Sequence, residues 1–145
     1  MSKKKVKINF NLKNDLNKIR LEANKFMILL GSDVKRMIIK RTQRGKDLNN
    51  RKFTNYSKPY LKYKKKKGLP TSPVNLTFRF NMLANMTVRK LINGSKVYFS
   101  SSDERKKAYY NNFGIGVPKR EFFGLSIKER KDIYRRLSKK IGELI

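Results

Sequence analysis

Residues 11–45 read NLKNDLNKIRLEANKFMILLGSDVKRMIIKRTQRG. Within them Leu12, Leu16, Ile19, Ala23, Phe26, Leu30, Val34 and Met37 (with Ile38) recur at steps of three and four residues. That period lays one apolar stripe along a helix of roughly eight turns. Gly31 interrupts it at ~1 kcal/mol relative to alanine, which marks a kink or a close contact at that point. Gly45 is the expected stop, with Arg41 and Arg44 placed at the negative end of the helix dipole.

Downstream the period changes. Residues 87–101, TVRKLINGSKVYFSS, set two strand-like runs on either side of Asn93-Gly94. That dipeptide predicts a hairpin whose two turn positions both take a positive φ. Val74, Leu76, Phe78 and Phe80 alternate with polar residues and predict a further half-buried strand, followed by a short helical or turn segment near Met82–Met86. Ser101 with Glu104, and Ser126 with Glu129, have the spacing of capping boxes that open two helices. Ile133, Leu137, Ile141 and Leu144 share a face of the second. Ahead of everything stands a basic arm, residues 1–10, where Val6, Ile8 and Phe10 alternate like a short edge strand. The expected fold is α+β, one domain over residues 1–145. It has a long N-terminal amphipathic helix, a long basic loop at 46–73, a small antiparallel sheet with an Asn-Gly hairpin, and a C-terminal helix.

Composition narrows the chemistry. The chain has 145 residues, 38 Lys+Arg against 10 Asp+Glu, a formal charge of +28, and no Cys, His or Trp. Zinc fingers, thiol nucleophiles, Ser-His pairs, imidazole metal sites and disulfides are thereby excluded. So lopsided a charge repels itself, and an anionic partner would offset that. The start of the chain is basic without a hydrophobic signal region, and the longest apolar run, 26–30, is far short of a span of ~20 residues. A cytoplasmic chain with no membrane role is expected. The ten carboxylates form no cluster with ligand-like spacing, so neither catalysis, a metal nor a cofactor is expected; a carboxylate-based enzyme is the remotest alternative. Gly114 and Gly116 lack the third glycine of a dinucleotide fingerprint.

The informative stretch is 46–73, KDLNNRKFTNYSKPYLKYKKKKGLPTSP, which has three prolines, no lasting period, and aromatics interleaved with bases. A plain solvated linker has little use for those rings. Arg51, Lys52, Lys62, Lys64, Lys65, Lys66 and Lys67 are candidate phosphate contacts. Tyr56, Tyr60 and Tyr63 are candidates to stack on bases or pack on a protein neighbour. No helix-turn-helix or RRM core accompanies them, which leaves nonspecific contact with nucleic acid or assembly with protein.

Three ordered blocks then resemble the virion-morphogenesis family of tailed bacteriophages (tail-completion, neck, head–tail joining). The first carries Arg41, Thr42, Gly45, Asp47, Phe53, Tyr56, Ser57, Tyr60 and Lys64 of an R-T-x-x-G-x-D-x-x-G-x-x-F-x-x-Y-S-x-x-Y-x-x-x-K pattern, with Asn50 where the family has glycine. The second has Val74, Asn75, Leu76 and Thr77, then Met82 and Leu83. The third, AYYNNFGIGVPKREFFGLSIKER, carries Ala108, Asn112, Phe113, Gly114, Val117, Pro118, Arg120, Phe122, Gly124, Leu125, Ser126 and Glu129.

The resemblance implies a non-catalytic structural protein of the virion, present in the host cytoplasm during assembly. It implies a six- or twelve-fold ring at the neck, between portal, adaptor or stopper proteins and the tail, around the passage of genomic double-stranded DNA. The alternative is a nonspecific basic nucleic-acid-binding protein. In the ring, Phe113, Gly114, Pro118, Arg120, Phe122 and Phe123 form a candidate anchoring loop. There Pro118 sets the turn, Arg120 pairs with a neighbour's carboxylate, and Phe122 and Phe123 either dock on a neighbour or pack beneath the last helix.

Overall fold

The structure is a computed structural model that describes residues 12–78 and 81–144, together with the backbone but not the side chain of Leu12. The basic arm 1–10 and Phe80 lie outside the described residues. The elements in chain order are α1 (Leu12–Gln43), α2 (Lys58–Lys66), α3 (Asn81–Ala84), β1 (Met86–Leu91), β2 (Gly94–Phe99), α4 (Ser102–Phe113) and α5 (Ile127–Leu144). The fold is α+β, a long N-terminal helix with a small antiparallel sheet and a C-terminal helix.

The helix α1 runs the length its periodicity predicts and ends where Gly45 takes φ +71. Gly31 serves a close contact. A side chain there would collide with Ser95 Oγ and meet Val88 Cγ1 at 2.8 Å, so the missing Cβ lets the hairpin lie against the helix. Ser95 Oγ donates to the Met27 carbonyl at 2.7 Å across the same contact.

β1 and β2 pair antiparallel with Met86 opposite Phe99 and Leu91 opposite Gly94. The turn residues are therefore Ile92 and Asn93, one position earlier than expected, and neither has a positive φ. Gly94 begins β2 instead, where its bare Cα lies under Met27 of α1. The strand expected over Val74–Phe80 is absent from its described residues. Asn75 Oδ1 accepts from the Thr77 N–H at 3.1 Å and its hydroxyl at 2.6 Å, and Leu76 between them has φ +54. That side-chain turn outcompetes the extended ladder that the alternation suggested.

Both caps form. Ser101 Oγ accepts from the Glu104 N–H at 3.4 Å and opens α4, while its own N–H goes to Asn85 Oδ1 at 2.7 Å. At α5 the box is reciprocal, with Ser126 N–H to Glu129 Oε2 at 2.7 Å and Glu129 N–H to Ser126 Oγ at 3.2 Å. α5 runs back along α1: Glu129 meets Arg41, Arg136 meets Asp33 at 2.9 Å, and Lys140 meets Glu22 at 3.9 Å.

The core gathers Ile38, Phe53, Val74, Met82, Leu83, Met86, Phe99, Ala108 and Phe122. It sits beneath the C-terminal half of α1 and the base of the hairpin. The N-terminal turns of α1 are uncovered, with Leu16 and Leu21 each more than half exposed. No helix among the described residues is long and apolar enough to cross a membrane.

Candidate functional site: an aromatic groove beside a buried lysine

The segment 46–73, expected to be an aperiodic loop, holds the nine-residue helix α2. Ser57 caps it, accepting from the Tyr60 N–H at 3.4 Å, and Pro59 sits in the first turn, where a missing N–H costs nothing. Nine residues give too little sequence for a period to emerge, and the innermost residue of this helix is a lysine.

That residue is Lys64. It is 0% exposed, its Nζ donates to the Thr77 carbonyl at 3.1 Å, and it lies 4.8 Å from the centre of the Tyr56 ring. Burial pulls its ammonium below the ordinary lysine value. Lys64 is therefore a structural cation, which corrects its assignment as a phosphate contact. Lys65 and Lys66 are exposed in the last turn of α2, at the negative end of its dipole. Lys67 is exposed and sits 5.9 Å over Tyr63, and Lys62 is exposed as well. Arg51 and Lys52 are both exposed; Arg51 pairs with Asp47 at 3.2 Å.

Arg120 is buried too. It is 4% exposed and holds the carbonyls of Thr54 (3.0 Å) and Asn55 (3.1 Å), with Asn111 Oδ1 at 3.4 Å. All three guanidinium nitrogens thus serve a clamp inside the chain. Its guanidinium lies 5.1 Å from the centre of the Tyr56 ring, which the Lys64 ammonium also contacts. Tyr56 is thus a hub, its hydroxyl accepting from the Leu76 N–H at 3.1 Å. Burial raises the Tyr56 phenol, with the Leu76 hydrogen bond opposing, and burial beside Tyr56 and Tyr63 raises that of Tyr60. Burial lowers the Arg120 guanidinium, against which the two phenols act.

From that hub an aromatic ladder runs outward. Tyr56 and Tyr60 meet edge to face at 5.0 Å, Tyr60 and Tyr63 lie tilted to each other at 6.3 Å, and Tyr63 stacks on Phe78 at 5.8 Å. The ladder forms one wall of a groove of about 540 Å³. The facing wall comes from α4 and the loop after it, through Lys107, Asn111, Val117, Pro118 and Arg120. The groove therefore joins two segments that the sequence offered as separate candidates. Glu104 lines it as well; its Oε1 takes Lys107 at 2.8 Å while its buried Oε2 has no partner.

Of the remaining loop residues, Phe122 is in the core, which makes it internal packing rather than a docking residue, and Phe123 packs half-buried against that core. Asn112 fixes them by accepting from the N–H groups of Phe122 (3.0 Å) and Phe123 (2.9 Å). Phe113 and Pro118 face outward. Gly114, at φ +74, caps α4 where a side chain would press on the Lys119 backbone at 3.0 Å.

The arrangement defines a small, strongly basic α+β chain with an open aromatic groove. It matches no protein-family model, no curated protein and no solved structure at the level where likeness carries meaning.

Proposed function

We propose that this chain is a structural component of the neck of a tailed bacteriophage, a ring subunit that joins the head to the tail around the DNA channel. The reading rests on the three ordered motif blocks. One observation carries it furthest: the matched residues hold one another in space. Arg41 of the first block bonds Glu129 of the third, Arg120 of the third clamps Thr54 and Asn55 beside Tyr56 of the first, and Tyr56 binds the backbone of Leu76 in the second. Residues chosen by pattern alone thus form the internal joints of the fold.

Ring assembly also suits the surface. A closed ring joins two different patches of each subunit, and the uncovered apolar turns of α1 and the aromatic groove are two such patches. Exposed tyrosines provide contact area with few rotors to freeze. A charge of +28 per copy favours a site beside DNA or acidic neighbours. In this role the chain has no catalytic residue, cofactor or membrane contact. Its partners are copies of itself, portal-side and tail-side virion proteins, and duplex DNA.

The test is to image the neck of purified tailed-phage particles at residue resolution. A ring of this chain between portal and tail is the expected result. Its absence from particles, with co-purification on nucleic acid at low salt, would overturn the reading and favour a free nucleic-acid-binding protein, which the net charge alone also suits.

A further inference from the structure

We propose that a second concavity, between the end of α1 and the start of α5, is the place where this chain grips the phosphodiester backbone of nucleic acid. The inference deepens the proposed contact with duplex DNA. It also moves that contact away from the lysine run of α2.

The concavity has a volume of about 650 Å³. Lys40 and Arg44 from α1, Lys46 from the following turn and Lys128 from the first turn of α5 all line it. None of the four has an ion-pair partner among the described residues, and Lys46 reaches only the Asn50 carbonyl, at 3.3 Å. Glu129 lines the site too, but its charge is taken by Arg41 and its Oε2 by the Ser126 N–H. The concavity therefore keeps several uncompensated positive charges around recessed walls, which concentrates the field more than a convex surface does.

Two further features point to an anion. Arg41 is 8% exposed and lines the same concavity, and its Nε donor has no partner although its terminal nitrogens are taken. Ile127 and Lys128, which head α5, also line it, and the N–H groups of a first turn lack intrahelical acceptors. The antiparallel course of the helices puts the negative end of α1 beside the positive end of α5. The dipoles largely cancel there, so the side-chain charges decide the preference. One carboxylate of a protein partner would answer only one of these cations, whereas successive phosphates of a nucleic acid answer several.

The lysines of α2 are arranged differently. Lys64 is internal, and Lys62, Lys65 and Lys66 stand exposed on one short helix and line neither the aromatic groove nor the concavity.

Two variants of equal charge test the proposal on the whole chain. One carries Lys40→Gln, Arg44→Gln, Lys46→Gln and Lys128→Gln. The other carries Lys58→Gln, Lys62→Gln, Lys65→Gln and Lys66→Gln. Affinity for a short DNA duplex is measured between about 50 and 200 mM salt, with circular dichroism verifying the fold. The slope of log K against log salt should fall by roughly 3 to 4 in the concavity variant, at about 0.9 for each phosphate no longer neutralised, and by under half of that in the α2 variant.

Equal losses in the two variants would overturn the proposal, as would tighter binding of polyglutamate than of duplex at matched charge and salt. If the fourfold concavity variant fails to fold, Lys40→Gln and Lys128→Gln, both at exposed positions, should each lower the slope by about 1; no change in either overturns it. The neck reading fails separately. A chain that loses the slope as expected but never enters a virion refutes that reading and leaves the concavity standing.

Discussion

Arg41 and Glu129 lie 88 residues apart in the sequence and form a hydrogen-bonded ion pair where α1 ends and α5 begins. The other terminal nitrogen of Arg41 donates to the carbonyls of Phe122 (2.7 Å) and Gly124 (2.8 Å). One guanidinium thus fixes three things together: the end of the long helix, the loop that delivers Phe122 to the core, and the capping box of the last helix. Burial pulls the Arg41 guanidinium below the ordinary arginine value, and Glu129 opposes that shift.

Breaking this joint should cost more than losing a surface pair. Arg41→Ala leaves Glu129 without its counter-ion and two carbonyls without a donor, and a loss of about 3 kcal/mol is expected in denaturant unfolding. Glu129→Gln keeps a side-chain acceptor for the Ser126 N–H and should cost about 1 kcal/mol. In a double-mutant cycle the coupling should be ~1–3 kcal/mol; additive losses would show that the pair acts only through its separate partners.

At Gly31, local propensity and tertiary packing oppose each other. Gly31→Ala gains ~1 kcal/mol of helix propensity. The new methyl, however, meets Ser95 and Val88 of the hairpin at overlapping distances. Overpacking of that kind costs roughly 1–3 kcal/mol, so thermal unfolding should show a net loss. A more stable variant would mean that the hairpin can slide away from α1 freely.

Lys64 should behave as a core residue. Lys64→Ala opens a cavity beside Tyr56 and is expected to cost ~2–4 kcal/mol. Lys64→Met retains most of the buried stem and removes a desolvated charge, so its stability should stay within about 1 kcal/mol of the parent. Duplex affinity should be no weaker for Lys64→Met than for a single exposed Lys62→Gln, read by anisotropy at one salt concentration.

Alkaline titration reads the same hub. Tyr56 and Tyr60 have folded values raised above 10.0, so the stability they contribute is complete below 10.0 and lost as pH rises through those folded values. Lys64 works the other way: its folded value is lowered from 10.5, so its burial cost stands below that folded value and is relieved as pH climbs toward 10.5. In phenolate absorbance, Tyr56 and Tyr60 should ionise late while the chain is folded. Tyr56→Phe and Tyr60→Phe should each delete one late step. A single unperturbed transition in the parent would contradict the burial of the hub.

The outer end of the ladder should separate assembly from folding. Tyr63 is 46% exposed, so Tyr63→Ala is expected to change stability by less than about 1 kcal/mol, chiefly through its stack on Phe78. Oligomerisation, followed by analytical ultracentrifugation, should weaken at least tenfold if the groove receives a neighbouring subunit. Unchanged assembly would restrict the ladder to a role within the chain.

Local chemistry determined much of this protein from the sequence alone. The period of α1, the stop at Gly45, the capping serines of α4 and α5 and the existence of the hairpin are all set by residues within a few positions of one another. Asn50 likewise takes the left-handed φ of +61 where the resembling family has glycine, and asparagine is among the residues that tolerate it. Tertiary structure decided what each charged or aromatic side chain does. A lysine in a run of four looks solvated, yet Lys64 lies in the interior because helix geometry turns it toward Tyr56 and Thr77. Arg120 reads as a partner for a carboxylate and holds two carbonyls of its own chain, and the alternation at 74–78 gives way to a turn set by Asn75. Periodicity reports a side chain's direction relative to its own element. Whether that direction meets solvent, a carbonyl or another ring depends on segments dozens of residues away, and only the folded chain brings them together.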